Sequence, residues 1–200
     1  VLIHYMYSGK AGITPLNAVL LSATAERFQI PQLQQFCQDY ISSHLQRENA
    51  MDILIEASKY KAQNLMKRSI NIVARNFCHI PSSHAKKLHP KLLLKVIQQK
   101  KLAVSNEYDF YKTINEYIQA KQDILTEEET QKLWNSVRFR WIAFEQFEEV
   151  SHNPNVPKHL IIEATMNRLM AYELPPEEIE KRPQPIRLQP RPKVTLTFEF

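Results

Sequence analysis

Cys78, His79, His84 and His89 bring thiol and imidazole groups close together, the side chains that bind transition metals. A zinc-binding helix spaces its histidines three or four positions apart, whereas these stand five apart around Pro81 and match no common site. They read as a solvated loop, with no metal. Serines, cysteines and histidines elsewhere fall on separate predicted helices, with no nucleophile signature around any of them. The expectation is a protein that is not an enzyme, with no catalytic residue and no cofactor. Gly9 and Gly12 lack the lysine and helix that would make a phosphate cradle, so they read as a turn. Glu127, Glu128 and Glu129 resemble an acidic patch, yet carboxylates in a helix's first turn are favoured by its positive dipole end. Trp134, Phe139, Trp141, Phe144 and Phe147 recur near helical spacing and read as core, lining a partner groove only where some prove exposed.

The elements that carry these residues are helical. Residues 1–7 form a short apolar extended or helical piece, closed by a turn over residues 8–12. Thr14 can cap a helix with Pro15 at its first position, after which Leu16, Val19, Leu20 and Ala23 recur at helical spacing towards Phe28. Pro31 opens the next helix, with Leu33, Phe36, Cys37, Tyr40, Ile41 and Leu45 as its stripe. The short link between them predicts an antiparallel hairpin. That hairpin recurs without a gap at an offset of 32 residues, aligning Asn17 with Asn49, Ala25 with Ala57, Phe28 with Tyr60 and Ile41 with Val73. Two hairpins of one design should stack, although no third copy extends them into an array.

Residues 79–90 are a polar break, and Pro90 then starts an apolar run, Leu92 to Ile97. Phe110, Ile114, Tyr117 and Ile118 share one helical face, Thr126 with Glu129 forms a capping box, and Asn153, Pro154 and Pro157 mark a turn before a final helix over residues 160–170. From Leu174 the prolines at 175, 176, 183, 185, 190 and 192 read as an extended linker. Residues 194–198 alternate like a single strand.

An apolar share of 44% with 24% charged residues suits a folded globular chain rather than a disordered one. Two glycines, both near the start, argue against an all-β fold, because hairpin turns need positive φ. Of the net charge of +5, +4 belongs to residues 181–200, where Lys181, Arg182, Arg187, Arg191 and Lys193 face Glu199 alone. The rest is close to neutral, so neither a nucleic-acid nor a membrane partner is expected. Two cysteines without framework spacing point to a reducing, intracellular location, cytoplasmic or nuclear. No apolar run is long enough to span a membrane. The start at Val1, without a methionine, reads as the inside of a longer protein.

The opening Leu2-Ile3-His4-Tyr5-Met6-Tyr7-Ser8-Gly9-Lys10, followed by Ile13-Thr14-Pro15-x-Asn17, resembles the closing part of a BTB domain. Phe28-Gln29-Ile30-Pro31-x-Leu33 with Cys37 resembles its two terminal helices. Glu48-Asn49-Ala50-Met51-x-Ile53-Leu54, with Ala57 and Tyr60, resembles the start of a BACK domain and its helix pair, the three-box. Leu88-His89-Pro90, Leu102-x-Val104 with Glu107, Val137-Arg138-Phe139 and the closing Leu160-Ile161-Ile162-Glu163-Ala164 continue that pattern. Tyr117 stands where many relatives have tryptophan, and no glycine-doublet kelch repeat is visible.

The resemblance covers about residues 1–172. It implies an all-α chain of stacked antiparallel helical hairpins: the end of a BTB domain over 1–45, a BACK domain over 46–172, and a Pro-rich basic tail over 173–200. It also implies a non-catalytic interaction module, the substrate-adaptor part of a cullin-three ubiquitin ligase. Its partners would be cullin-three and a substrate protein, with a homodimer in the full-length form. A BTB–BACK scaffold that oligomerises or tethers partners without a ligase is the alternative. The front of the BTB fold is not in this chain, so apolar surface is expected near Leu2, Ile3, Tyr5 and Leu20. In the hairpin over residues 48–78, Ile53, Leu54, Ala57, Leu65, Ile72, Val73 and Phe77 are expected in the core. Met51 and Ile55 lie beside that stripe as candidate partner contacts, or pack against the preceding hairpin.

Overall fold

Thr14 and Asn17 close a capping box at the start of the second helix. The Asn17 amide reaches back to the Thr14 N–H, which donates to Oδ1 at 2.8 Å, while its Nδ2 donates to the Gly12 carbonyl at 3.1 Å. Asn49 repeats this bracket one hairpin later. The Gln46 N–H donates to its Oδ1 at 2.9 Å, and its Nδ2 donates to the His44 carbonyl at 2.6 Å. The residue pair aligned in sequence thus performs the same act in space, satisfying backbone groups that a helix start leaves open.

The computed structural model describes residues 1–173, and among these the chain is helical with no strand. The elements are α1 (Leu2–Ser8), α2 (Pro15–Arg27), α3 (Pro31–His44), α4 (Ala50–Lys59), α5 (Gln63–Arg75), α6 (Ser82–Ala85), α7 (Pro90–Ile97), α8 (Glu107–Ala120), α9 (Glu127–Ser136), α10 (Phe144–His152) and α11 (Lys158–Glu173). Two 3-10 turns, Phe77–His79 and Phe139–Trp141, join them. The all-α expectation holds. The tail over 174–200 and the alternating segment 194–198 lie outside the described residues.

The described fold divides into two compact units, Val1–Asn76 and Phe77 onwards. In the first, α2 pairs with α3, α4 pairs with α5, and α2 packs on α4. Both hairpins turn in the same way. Gln29 and Lys61, again 32 residues apart, each adopt φ 56°. Past each, the chain folds back with Ile30 N–H on the Ala25 carbonyl at 2.8 Å and Ala62 N–H on the Ala57 carbonyl at 2.9 Å. This is the Schellman ending, which normally takes glycine at the left-handed position. Glycine scarcity therefore did not remove positive φ from the chain; it moved the strain onto Gln29 and Lys61. Replacing either with glycine is expected to stabilise the first unit by about 0.5–1 kcal/mol, since a side chain in this region costs about 1–2 kcal/mol and glycine's extra unfolded freedom returns part of it. Urea titration of Gln29→Gly and Lys61→Gly checks this, and a lower midpoint for both would contradict it.

Ala18 and Ala50, Val19 and Met51, Leu21 and Ile53, Ala25 and Ala57, Cys37 and Ser69, and Ile41 and Val73 are buried in both hairpins. α5 departs from expectation. Its inward face is Met66, Ser69, Ile70, Val73 and Ala74, while Leu65 and Ile72 are only half-buried. Ile53, Leu54, Ala57, Val73 and Phe77 are core as expected. Leu21, Ala25, Leu33 and Cys37 form a cluster against which Leu2 and Tyr5 of α1 pack, so those two are not free surface. Ile3, Met6, Tyr7 and Leu20 carry the exposed apolar surface instead.

Burial in this cluster pushes the Cys37 thiol up to about 11. The stability that the fold owes to a neutral thiol is complete below the ordinary thiol range and is lost as pH rises towards 11. In native protein near pH 8 a thiol reagent should label half-buried Cys78 and leave Cys37 until unfolding. Equal labelling rates would contradict that burial.

In the second unit α7 packs on α9, α6 and α9 pack on α8, and α11 packs on the Phe139–Trp141 turn. Trp134, Tyr111 and Phe139 form an aromatic triangle with centroids 6.1–6.3 Å apart. Tyr117 is fully buried and its hydroxyl donates to the Leu88 carbonyl at 2.9 Å, a polar pairing that tryptophan would make with different geometry. Thr126 and Glu129 form the expected capping box, and Glu128 pairs with Lys132 at 2.5 Å, so the acidic run serves its own helix. Trp134, Phe139 and Phe147 are core, whereas Trp141 and Phe144 are exposed.

Candidate partner-binding surface

The first unit carries a cleft of about 530 Å³, walled by α2, α3, the turn between α4 and α5, and α5. Val19 and Ile41 lie buried at its base. Its rim is polar because α3 turns Gln34, Gln35 and Gln38 outward when its Leu33–Cys37–Ile41 stripe turns in. The Gln35 amide donates to Asp39 Oδ1 at 2.9 Å, and the Arg68 guanidinium of α5 donates to the Ser42 hydroxyl of α3, tying the two walls together. Carboxamides of this kind offer both donors and acceptors, which is what an extended peptide backbone requires. Phe28, Phe36 and Tyr60, exposed on the same unit, supply aromatic area of the kind that anchors protein partners.

Met51 and Ile55 sit one turn apart on α4. Met51 is 6% exposed and belongs to the interior, in the position that Val19 takes in the first hairpin. α4 packs on α2, which accounts for that burial. Ile55 is half-buried and keeps part of its surface. The cleft walls come from other residues. The glutamines of α3 were a partial signal for one wall: Gln34, Gln35 and Gln38 interrupt a stripe of buried apolar residues with side chains that only a solvent-facing or partner-facing arc accommodates.

Of the histidines and cysteine considered for a metal, His89 caps α7 by accepting the Lys91 N–H at 3.4 Å, His79 is exposed, and Cys78 borders a niche of about 50 Å³ with Phe110 and Thr113. Among the described residues no three such side chains converge as metal ligands, and no helix is long and apolar enough to cross a membrane.

Stacked helical hairpins that present a polar-rimmed cleft, with exposed aromatic residues on the same unit, define a protein-interaction module. The BACK family model, described as "BTB And C-terminal Kelch", matches residues 50–152, and the BTB/POZ domain model matches residues 1–45. The chain belongs to the BTB–BACK family. It is 26% identical over 176 residues to Kelch repeat and BTB domain-containing protein 8 of Mus musculus, covering 88% of this chain and 25% of that protein. It is similar also to Kelch repeat and BTB domain-containing protein 1 of Cowpox virus, 29% over 107 residues (53% and 19%), and to Kelch-like protein 21 of Danio rerio, 26% over 120 residues (60% and 20%). The chain spans about a quarter of the length of the curated relatives it matches, or less.

Proposed function

We propose that this chain is the adaptor core of a substrate receptor for a cullin-three ubiquitin ligase, acting inside the cell, in cytoplasm or nucleus, without chemistry of its own. The observation that carries this reading is the cleft of the first unit: a largely polar groove with a carboxamide rim and Tyr60 on its wall suits an extended segment of a protein partner rather than a small metabolite. In this account the cullin engages the first unit, with the α4–α5 hairpin, the three-box, offering Ile55 as a contact. The division into a BTB end over 1–45 and a BACK domain over 46–172 is then one of descent, and the three-box travels with the first compact unit. The names of the relatives join a BTB domain to kelch repeats, and we extend that order to the full-length protein, which would dimerise through its BTB domain and read its substrate beyond this chain.

Precipitation of the full-length protein from cells should bring down cullin-three with it, and ubiquitin transfer to a co-precipitated substrate should need the cullin. Self-association and substrate capture with cullin-three absent would overturn the ligase reading in favour of a scaffold.

A further inference from the structure

From Ala57 to Asn106, a quarter of the chain, there is no aspartate or glutamate, although 21 occur in the whole. The near-neutral total before the tail therefore hides a separation of charge. In the second unit the basic side of that separation gathers on α7. Six of its eight residues, Pro90, Leu92, Leu93, Leu94, Val96 and Ile97, are buried. Lys91 and Lys95, one turn apart on the same face, are all that it turns to solvent. Lys87 stands just before the helix, and Lys100 and Lys101 just after it, all exposed. α7 is only ~12 Å long, so five ammonium groups gather along one short helix and its ends. Among the described residues none of the five pairs with a carboxylate, whereas Lys86 pairs with Glu116 at 2.8 Å. A solvated helix face ordinarily mixes both signs. α8 and α9 do so, pairing Lys112 with Asp109 at 3.0 Å and Lys132 with Glu128 at 2.5 Å. Like charges left at i, i+4 repel each other, and an anion from outside relieves them.

We propose that α7 and its two ends dock a short acidic segment of a partner protein, a run of aspartate and glutamate. All five cations are lysines, hydrated point charges on flexible stems that meet carboxylates at many angles, whereas arginine is the residue that grips phosphates in a fixed fork. Between Ile80 and Tyr108 no phenylalanine, tyrosine or tryptophan occurs, so the bases of a single-stranded nucleic acid find no such ring to stack on. The apolar side chains of α7 are buried, so none is free to enter a lipid surface. α9 packs directly on α7 and starts with Glu127, Glu128 and Glu129, which repel a polyanion that runs on past the lysines. A segment a few residues long escapes that repulsion. Contacts between exposed charges of this kind are individually weak, quick to form and sensitive to salt. The patch lies on the unit that the cullin reading leaves unused, so it stands or falls apart from that reading.

The test is a fluorescence-anisotropy titration of the intact chain into a labelled peptide of alternating glutamate and serine at low salt. Saturable binding is expected, and it should weaken about fivefold or more when the salt is raised to a physiological level or above. Lys91→Glu with Lys95→Glu should weaken it about tenfold or more at low salt. Both side chains are exposed, so a circular-dichroism melt of that variant should match the natural chain. If the reversal disturbs the fold, Lys91→Gln with Lys95→Gln removes the charge more gently and should still weaken binding about threefold. Arg187→Glu with Arg191→Glu makes the same change of net charge in the tail and should weaken binding by less than about twofold. No saturable binding by the natural chain, equal binding by a folded α7 variant, or an equal loss in the tail variant would each overturn the proposal. An oligothymidine or a phosphatidylserine vesicle bound more tightly than the peptide, and released by the α7 changes, would assign the patch to nucleic acid or membrane and overturn it equally.

Discussion

Replacing Trp134 with alanine is expected to cost the second unit about 3–5 kcal/mol, the range for removing a large aromatic from a closed core. The indole is 1% exposed and touches two other rings, Tyr111 and Phe139, neither of which can close over the space because each is fixed from another side. Tyr111 is held through its hydroxyl by the Asn153 amide at 2.6 Å, and Phe139 by the 3-10 turn whose carbonyl Arg168 grips at 3.0 Å. Trp141→Ala, seven residues on, should cost less than about 1 kcal/mol, because that ring already meets water. Guanidinium titration followed by circular dichroism reads both values. Equal losses would mean that the aromatic triangle is not the core of this unit.

The pair on α4 should separate as sharply. Met51→Asp places a carboxylate in the apolar interior of the first unit, and a loss of several kcal/mol, enough to unfold a unit of ordinary stability, is expected. Ile55→Asp, one turn away, sets its carboxylate where the side chain reaches solvent, so the unit should stay folded with a midpoint shifted by about 1 kcal/mol or less. Thermal melts of the two variants check this. A folded, stable Met51→Asp would return Met51 to the surface, and an unfolded Ile55→Asp would move Ile55 into the core.

Much of this fold was legible because its signals are local. The Thr126–Glu129 box, the Thr14–Pro15 start and the Pro31 and Pro90 openings each appear where the chain announced them. The repeat was legible too, and it extends to hydrogen bonds that no alignment displays: the Asn17 and Asn49 brackets and the twin turns at Gln29 and Lys61. Positive φ at those turns escaped the sequence because it is imposed by the return of each hairpin onto its neighbour, not by a residue that prefers it.

Rotation about a helix axis was the other hidden quantity. In α5 both Leu65 and Met66 are apolar, and only the approach of α4 decides that Met66 and Ile70 turn in while Leu65 and Ile72 remain half out. The same ambiguity governed Met51 against Ile55, and Trp141 and Phe144 against Phe147. The polar break over residues 79–90 hid the turn Phe77–His79 and α6, since a few residues of helix leave no periodicity to read. The cleft was the least legible feature, because its walls come from segments some thirty residues apart and no single motif marks it.

Whether the first unit is a cullin-three surface is the central question. The most direct measurement is a calorimetric titration of the full-length protein with cullin-three, set beside the same protein carrying Ile55→Asp and shown by its melt to be folded. The account predicts saturable binding by the natural protein and an affinity about tenfold or more lower for the variant, the loss expected for a charge placed in an apolar contact. No binding by the natural protein, or equal affinity in the folded variant, would contradict it.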